Sequence, residues 1–200
     1  TKLKGVHRTF GFFPSTISAV CIGMIWSMVY HNKYGILNWF IINVLGRPEC
    51  AKVWLNDTRN IMLYVSIPLI WQYIGYYMVI MFSAIAGIDK SIFESAEIDG
   101  ATGIKQFFRI TIPLLSPTIF FILQTRIIGA LQQFDLIFMM MDRSNPALPK
   151  TQTVVYYFYV NAFQYNNRGL GAAIVLCMLV LIMMITWVLQ KTEKYWVFYN

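Results

Sequence analysis

The sequence contains few charged residues. Of its 200 residues only 12% are Asp, Glu, Lys or Arg, against about 25% in an ordinary globular chain. In contrast, 58% of the residues are hydrophobic and 16% are aromatic. A soluble domain of this size could not cover so much apolar surface with so few charged side chains. The composition therefore excludes a soluble domain, a disordered chain and a disulfide framework, and it favours an integral membrane protein.

Motifs for catalysis, metal binding and nucleic-acid binding are also lacking. The three cysteines, Cys21, Cys50 and Cys177, stand far apart without CxxC or Cys/His spacing, so we expect no metal site. The Lys and Arg residues are scattered, which fits membrane lipids as partners better than nucleic acid. The phosphate-binding pattern G-x-x-x-x-G-K-[ST] is missing, so we expect no bound cofactor and no ATP held by this chain. We also expect that the chain is not an enzyme.

Four long apolar stretches reach the roughly 20 residues that a helix needs to cross a bilayer. They predict a single all-α membrane domain over residues 1–200, with spans at about residues 10–32, 60–86, 108–140 and 169–190. Two further stretches, 35–46 and 151–167, are too short or too rich in Tyr, Gln and Asn to span, and they predict interfacial or re-entrant elements. Lys and Arg are divided almost equally between the two sides of this arrangement, which leaves its orientation open.

The segment between the second and third predicted spans has the pattern of a short amphipathic helix. Ser91 and Glu94 have the spacing of a capping box, and Asp99 followed by Gly100 is typical of a helix end. A second short helix is expected over about residues 103–108, before prolines that stop or kink the chain at the membrane. A docking site for a partner fits this pattern, and so does a loop folded against its own helices. Its expected apolar face consists of Ile92, Phe93, Ala96 and Ile98.

This segment resembles the EAA loop of the inner-membrane permease subunits of binding-protein-dependent ABC importers. The family pattern is EAA…DGA…(nine residues)…I-x-L-P, with mild departures here at Ser95 and Ile112. The matching residues are Glu94-Ser95-Ala96, Asp99-Gly100-Ala101, Ile110 and Ile112-Pro113. The resemblance extends over nearly the whole chain, which is similar to the sugar permeases of the maltose-transport MalF type. One departure is Ser144-Asn145-Pro146, where the family has Gly-Gly-Pro.

The resemblance implies a helical bundle of the ABC importer permease type, multi-pass in the cell membrane. Residues 88–106 are then a cytoplasmic coupling loop, and the C-terminus lies on the same side. The implied partners are ATPase subunits that bind the ATP, a second permease subunit and an extracytoplasmic solute-binding protein. Because family members usually have six spans, we expect one or two N-terminal spans to be missing from this sequence. The implied docking residues are Ile92, Phe93, Glu94, Ala96, Glu97, Asp99, Gly100 and Ala101.

Polar residues at membrane depth are candidates for a translocation path. Arg126 and Asp135 are nine residues apart, about 13 Å along a helix, which is too far for a direct ion pair. A charge in the bilayer interior costs roughly 3 kcal/mol or more, so each of them needs another partner or water. Hydrogen bonding between helices and an interfacial aromatic belt are alternative roles for the set. The candidates are Gln124, Arg126, Gln132, Gln133, Asp135, Asn161, Gln164 and Tyr165.

The sequence and the resemblance together predict a permease subunit that imports a solute, expected to be a sugar or an oligosaccharide. One alternative is a membrane scaffold or interaction protein whose cytoplasmic loop binds another partner. A membrane-embedded enzyme, such as a lipid transferase, is a further alternative. It would need clusters of acidic residues or His at the interface, and the sequence lacks them.

Overall fold

The computed structural model describes residues 9–198, and the regular elements within this range are helices. The all-α class predicted from the sequence is therefore confirmed. The main helices are α1 (Ala19–Val29), α2 (Ile36–Asn43), α3 (Ile61–Ala86), α4 (Lys90–Ile98), α5 (Ile104–Leu131), α6 (Asp135–Met140), α7 (Val154–Tyr159) and α8 (Arg168–Glu193). Of these, α3, α5 and α8 are long and apolar enough to cross a membrane.

The first predicted span is bent sharply. Residues 10–32 fold into a helix at Thr9–Thr16 and into α1, and the two helices meet at an angle of 104°. The backbone at the bend is extended, with ψ of 137° at Ile17. The side-chain amide of Gln72 on α3 donates a hydrogen bond of 3.3 Å to the Ile17 carbonyl. Together the pair can form a fourth span, but hydropathy does not reveal the bend, because a distant side chain satisfies the backbone there.

The start of the third predicted span differs from the expectation of 108–140. Helix α5 already begins at Ile104, so the predicted separate helix at 103–108 is the first part of α5. A π-helical turn at Phe107–Thr111 follows, and the helix then continues through its prolines. The wider turn relieves the crowding that a proline ring causes in the preceding turn, so the helix continues without ending.

The end of the third predicted span also differs, because α5 stops at Leu131 and α6 starts only at Asp135. The backbone at Phe134 lies outside the helical region, with φ of −136°. In this gap the hydroxyl of Thr153 donates a hydrogen bond to the carbonyl of Gln133. A residue 20 positions away thus satisfies a carbonyl that a continuous helix would have paired internally.

The described residues divide into two compact units. The first takes the residues up to Gly75 together with Leu131–Val175, and the second takes Tyr76–Ala130 together with the residues from Leu176 onward. In the first unit α1 packs against α6, and Ile22 and Leu136 are fully buried between them. In the second unit the apolar side chains of α8 are largely exposed, as expected where lipid or other membrane helices cover them.

The two segments predicted as interfacial or re-entrant are helical. Residues 35–46 contain α2, and residues 151–167 contain α7 and a π-helical turn at Val160–Gln164. Buried Asn38 on α2 holds the following loop, because its amide donates to the carbonyl of Lys52 at 3.1 Å and its oxygen accepts from the indole of Trp54 at 2.8 Å. A polar group without such partners would be costly to bury, so these bonds define how α2 sits in the first unit.

Candidate functional site

Helix α4, which carries the predicted docking residues, begins at an aspartate. The Asp89 carboxylate accepts the backbone N–H of Ser91 at 3.0 Å, so Asp89 is the N-cap and the helix starts at Lys90. The predicted capping box of Ser91 and Glu94 is therefore wrong, because Asp89 occupies the capping position two residues earlier. Hydrogen bonds from the backbone and the hydroxyl of Ser91 lower the pKa of Asp89 from its ordinary value. The cap is thus charged near neutral pH and stabilises the helix start.

Helix α4 ends in a Schellman motif, as the Asp-Gly pair indicates. Gly100 has φ of +75°, and its N–H donates to the Glu97 carbonyl at 3.0 Å. The N–H of Ala101 donates to the Ala96 carbonyl at 2.8 Å, which completes the motif. Chain neighbours aside, a Cβ added at Gly100 would meet no atom of the described residues within 4 Å. A glycine is therefore favoured at this position because of the positive φ, and not because a side chain would be crowded.

One face of α4 packs against its own chain. Ala96 is buried, Ile92 and Phe93 are half-buried, and the Phe93 carbonyl accepts a hydrogen bond of 3.2 Å from the side chain of Gln106. These three predicted docking residues pack α4 against the rest of the second unit. This face of α4 is therefore covered by the chain itself.

The opposite face of α4 is exposed. It presents Glu94, Glu97, Asp99 and Gly100, while Ala101 is half-buried. Ile98, which was expected to share the inward apolar face, is 88% exposed, and Ile104 at the start of α5 is 78% exposed. The sequence pattern misplaced Ile98 because it lies in the last turn, where the chain leaves the packed face. The exposed residues of α4 and of the turn that follows it thus include two large apolar side chains, Ile98 and Ile104, and three carboxylates. We call this set, together with Gly100, the outer face of α4.

The polar candidates for the translocation path are divided between the units. In the second unit Gln124 and Arg126 lie half-buried on α5. The Arg126 guanidinium carbon is 5.8 Å from the centroid of the Tyr77 ring on α3. Such a cation–π contact stabilises a charge away from bulk water. A ring from a neighbouring span in the same unit thus lies close to the Arg126 guanidinium.

In the first unit the candidates surround the gap before α6 and the end of α7. Asn161 is buried, and its amide donates to the Tyr157 carbonyl of its own helix at 2.8 Å. The amide nitrogen of Gln164 is buried and finds no hydrogen-bond partner within the described residues. Tyr165 is 74% exposed. Gln133 is half-buried, and Gln132 and Asp135 are exposed.

Aromatic rings accompany these amides in the first unit. The Phe134 ring centroid lies 5.0 Å from that of Tyr159 and 5.1 Å from that of Phe138. Tyr159 in turn lies 5.6 Å from Phe163, at the π-helical turn that carries Asn161 and Gln164. The structure therefore gathers amide groups and ring faces in one region, a combination suited to binding a polar organic solute.

Two loops of the first unit, residues 51–60 and 142–151, are joined by side chains. The amide of Asn145 donates to the Leu55 carbonyl and to the Asn56 side-chain oxygen, both at 3.0 Å. The ammonium group of Lys150 donates to the Thr58 carbonyl at 2.9 Å. Asn145 belongs to the Ser144-Asn145-Pro146 departure noted in the resemblance, and its side chain makes a link between the loops that a glycine could not make.

Long apolar helices with a capped amphipathic helix between two of them define a multi-span membrane protein with an exposed connecting loop. Residues 1–194 match the family described as binding-protein-dependent transport system inner membrane component, and the chain belongs to this family. The family resemblance noted at the loop is thereby confirmed. The description of this family is that of membrane transport components and not of enzymes.

Curated relatives and a solved structure agree with this family. The probable ABC transporter permease protein YesP of Bacillus subtilis (strain 168) is 30% identical over 200 residues, which are 100% of this chain and 63% of YesP. The sulfoquinovosyl glycerol transport system permease protein SmoG of Agrobacterium fabrum (strain C58 / ATCC 33970) is 32% identical over 164 residues, or 82% of this chain and 52% of SmoG. The chain thus spans between half and two thirds of these relatives.

The solved structure is that of a bacterial alginate ABC transporter in complex with an alginate pentasaccharide-bound periplasmic protein. One of its chains superposes with a TM-score of 0.88 at 20% identity, covering 97% of this chain and 66% of that chain. At this level of identity the match establishes the permease fold alone.

Proposed function

We propose that the chain is a permease subunit that forms a path for a sugar or an oligosaccharide across the cell membrane, driven by separate ATPase subunits. The observation that carries the proposal is α4, a helix capped at both ends that lies between two apolar spans and exposes one amphipathic face. Membership of a binding-protein-dependent transport family supports an importer over a scaffold protein.

The outer face of α4 is the proposed contact with an ATPase subunit. Ile98 and Ile104 supply exposed apolar side chains, which is the kind of group that anchors an interface core. The carboxylates of Glu94, Glu97 and Asp99 favour a partner groove with a basic rim. The remaining predicted docking residues support the helix and do not contact the ATPase themselves. Ile92, Phe93 and Ala96 pack α4 against the rest of the second unit, and Ala101 closes its Schellman motif.

The solute class rests on the groups along the proposed path. Gln133, Asn161 and Gln164 offer amides close to the rings of Phe134 and Tyr159 in the first unit. Amides donate to and accept from hydroxyl groups, and ring faces pack on the apolar faces of sugars. The remaining candidates, Gln124, Arg126, Gln132, Asp135 and Tyr165, extend the path. The names of the alginate transporter and of SmoG refer to carbohydrate solutes, which agrees with this class.

The proposed assembly contains a second permease subunit, ATPase subunits and an extracytoplasmic binding protein. The alginate transporter was crystallised with a periplasmic protein that carries an alginate pentasaccharide, and we assign the same type of partner here. In the proposed orientation α4 and the segment after α8 face the cytoplasm. The joined loops at 51–60 and 142–151 then face the outside, where the binding protein docks.

Thiol labelling tests this orientation. In a variant with Cys21, Cys50 and Cys177 replaced by Ser, a single cysteine is introduced as Lys90→Cys or as Arg143→Cys, since both positions are exposed. On intact cells we expect a membrane-impermeant maleimide to label position 143 and not position 90. Both positions should react after the membrane is permeabilised, which controls for accessibility. Labelling of position 90 alone on intact cells would reverse the orientation and remove α4 from the ATPase.

A further inference from the structure

A proline in α5 leaves one backbone carbonyl without its helical donor. Pro117 has no N–H, so the carbonyl of Pro113, four residues earlier, cannot accept the usual hydrogen bond. The hydroxyl of Ser116 donates to that carbonyl at 2.6 Å. Ser116 is only 3% exposed, so the bond is shielded from water. The serine therefore satisfies a carbonyl that the sequence of the helix itself leaves unpaired.

The same serine also accepts a hydrogen bond from a distant part of the second unit. The backbone N–H of Phe198 donates to the Ser116 hydroxyl oxygen at 2.9 Å, across 82 positions of sequence. The bonds run in series from the Phe198 N–H through the Ser116 hydroxyl to the Pro113 carbonyl. Neighbouring Val197 is buried, so this contact belongs to a packed region. Removing the hydroxyl leaves a donor and an acceptor unsatisfied at the same time.

The segment after α8 is packed along the same face of α5. Trp196 meets the ring of Phe120 edge to face, with ring centroids 5.9 Å apart and planes at 68°. Ser116 and Phe120 are four residues apart, so they lie on one face of α5. The N–H groups of Trp196 and Val197 both donate to the Glu193 carbonyl, which turns the chain back at the end of α8. The segment is thus an ordered turn with two separate contacts on α5.

These contacts lie next to the π-helical turn that connects the α4 loop to the rest of α5. The π-helical turn at Phe107–Thr111 separates the start of α5 from Pro113, and such turns lack the regular α-helical bonds that stiffen a helix. The contacts that Ser116 and Phe120 make with the segment after α8 lie just beyond this turn. They hold the part of α5 that follows the turn. Without these contacts, the chain at the π-helical turn would bend independently of α8.

We propose that residues 195–198 form a latch that ties the base of the α4 loop to the end of α8, with Ser116 and Trp196 as positioning residues. The latch lets a displacement of α4 by a bound ATPase move α5 and the end of α8 together. This role rests on the proposed function. The latch contact itself rests on the hydrogen bonds and ring packing described above.

The test uses the purified permease complex with its ATPase subunits and binding protein, and compares Ser116→Ala with Thr192→Ala. Within the described residues the Thr192 hydroxyl makes one hydrogen bond, to the Leu189 carbonyl of its own helix at 2.8 Å, so Thr192→Ala is the matched control. Hydrogen–deuterium exchange is followed in peptides that cover residues 104–116 and the segment after α8. We expect exchange to be about fivefold faster in Ser116→Ala, the factor that corresponds to one lost hydrogen bond, and unchanged in Thr192→Ala.

The functional arm measures ATP hydrolysis stimulated by the binding protein. In Ser116→Ala most of this stimulation should be lost while the ATPase content of the complex stays at its wild-type level. Trp196→Ala should behave in the same way, and Trp187→Ala, which removes an exposed ring on α8, should not. Unchanged exchange in Ser116→Ala, or faster exchange with full stimulation, would overturn the latch. A wild-type complex without any stimulation would instead contradict the proposed function, and the exchange comparison would still report on the latch contact.

Discussion

Gly100→Val is expected to abolish solute uptake while leaving the membrane spans inserted. The reason is local, because Gly100 has φ of +75° and closes the Schellman motif of α4. A β-branched residue in this conformation costs roughly 1–2 kcal/mol, which is too little to unfold the transporter. A Cβ at this position would meet no atom of the described residues within 4 Å, its chain neighbours aside, and Gly100 belongs to the outer face. In the proposed assembly the added side chain would obstruct the groove of the ATPase, and we expect the ATPase to be lost on co-purification from detergent.

Gly46→Val is the matched control for this experiment. Gly46 also has a positive φ, +63°, and a Cβ there would likewise meet no atom within 4 Å. The strain is the same, but the residue follows α2, which faces the outside in the proposed orientation. We expect this variant to retain the ATPase at wild-type stoichiometry. Equal loss of the ATPase in both variants would show that backbone strain, and not an interface, explains the effect at Gly100.

Gly75→Ala is expected to cause a large loss of stability in the first unit. A Cβ at Gly75 would coincide with the backbone carbonyl of Gly11, where the chain crosses α3 at close range. Because backbone atoms cannot move aside as a flexible side chain can, the cost should reach about 3 kcal/mol. In a thermal melt of the purified protein this corresponds to a decrease in Tm of about 6–12 °C.

The control for Gly75→Ala lies in another span. A Cβ at Gly129 on α5 would meet only the end of the Arg126 side chain, at 3.6 Å, which is ordinary contact. Gly129→Ala should therefore leave Tm unchanged or raise it by up to about 4 °C, because Ala favours a helix over Gly. If Gly75→Ala melts at the same temperature as Gly129→Ala, then the backbones of Gly75 and Gly11 do not lie as close together as described.

Local chemistry in the sequence anticipated much of the loop. Asp99 followed by Gly100 indicated a helix end, and the structure has a positive φ at this glycine. The start of the helix was misjudged because Asp89 and Ser91 are both good capping residues. The structure distinguishes them, because the Ser91 N–H donates a hydrogen bond to the Asp89 carboxylate. The family match over residues 1–194 agrees with what the loop pattern indicated.

Features set by distant residues could not be predicted. The bend at Ile17 depends on the amide of Gln72, and the gap before α6 depends on the hydroxyl of Thr153, so neither has a local signal. Hydropathy counts apolar residues and reports these stretches as continuous spans. The outward position of Ile98 has the same origin, because packing against the second unit decides which turn of α4 is covered.

The most direct test of the account is a photocrosslink from the outer face of α4. A benzophenone amino acid is placed at position 98, where the wild-type Ile98 is 88% exposed, and a control probe is placed at Leu176, an exposed residue on α8. After illumination of membranes that contain the assembled transporter, the probe at position 98 should capture the ATPase subunit and the probe at position 176 should not. If position 98 captures no ATPase, or captures it no better than position 176, then α4 is not the coupling helix.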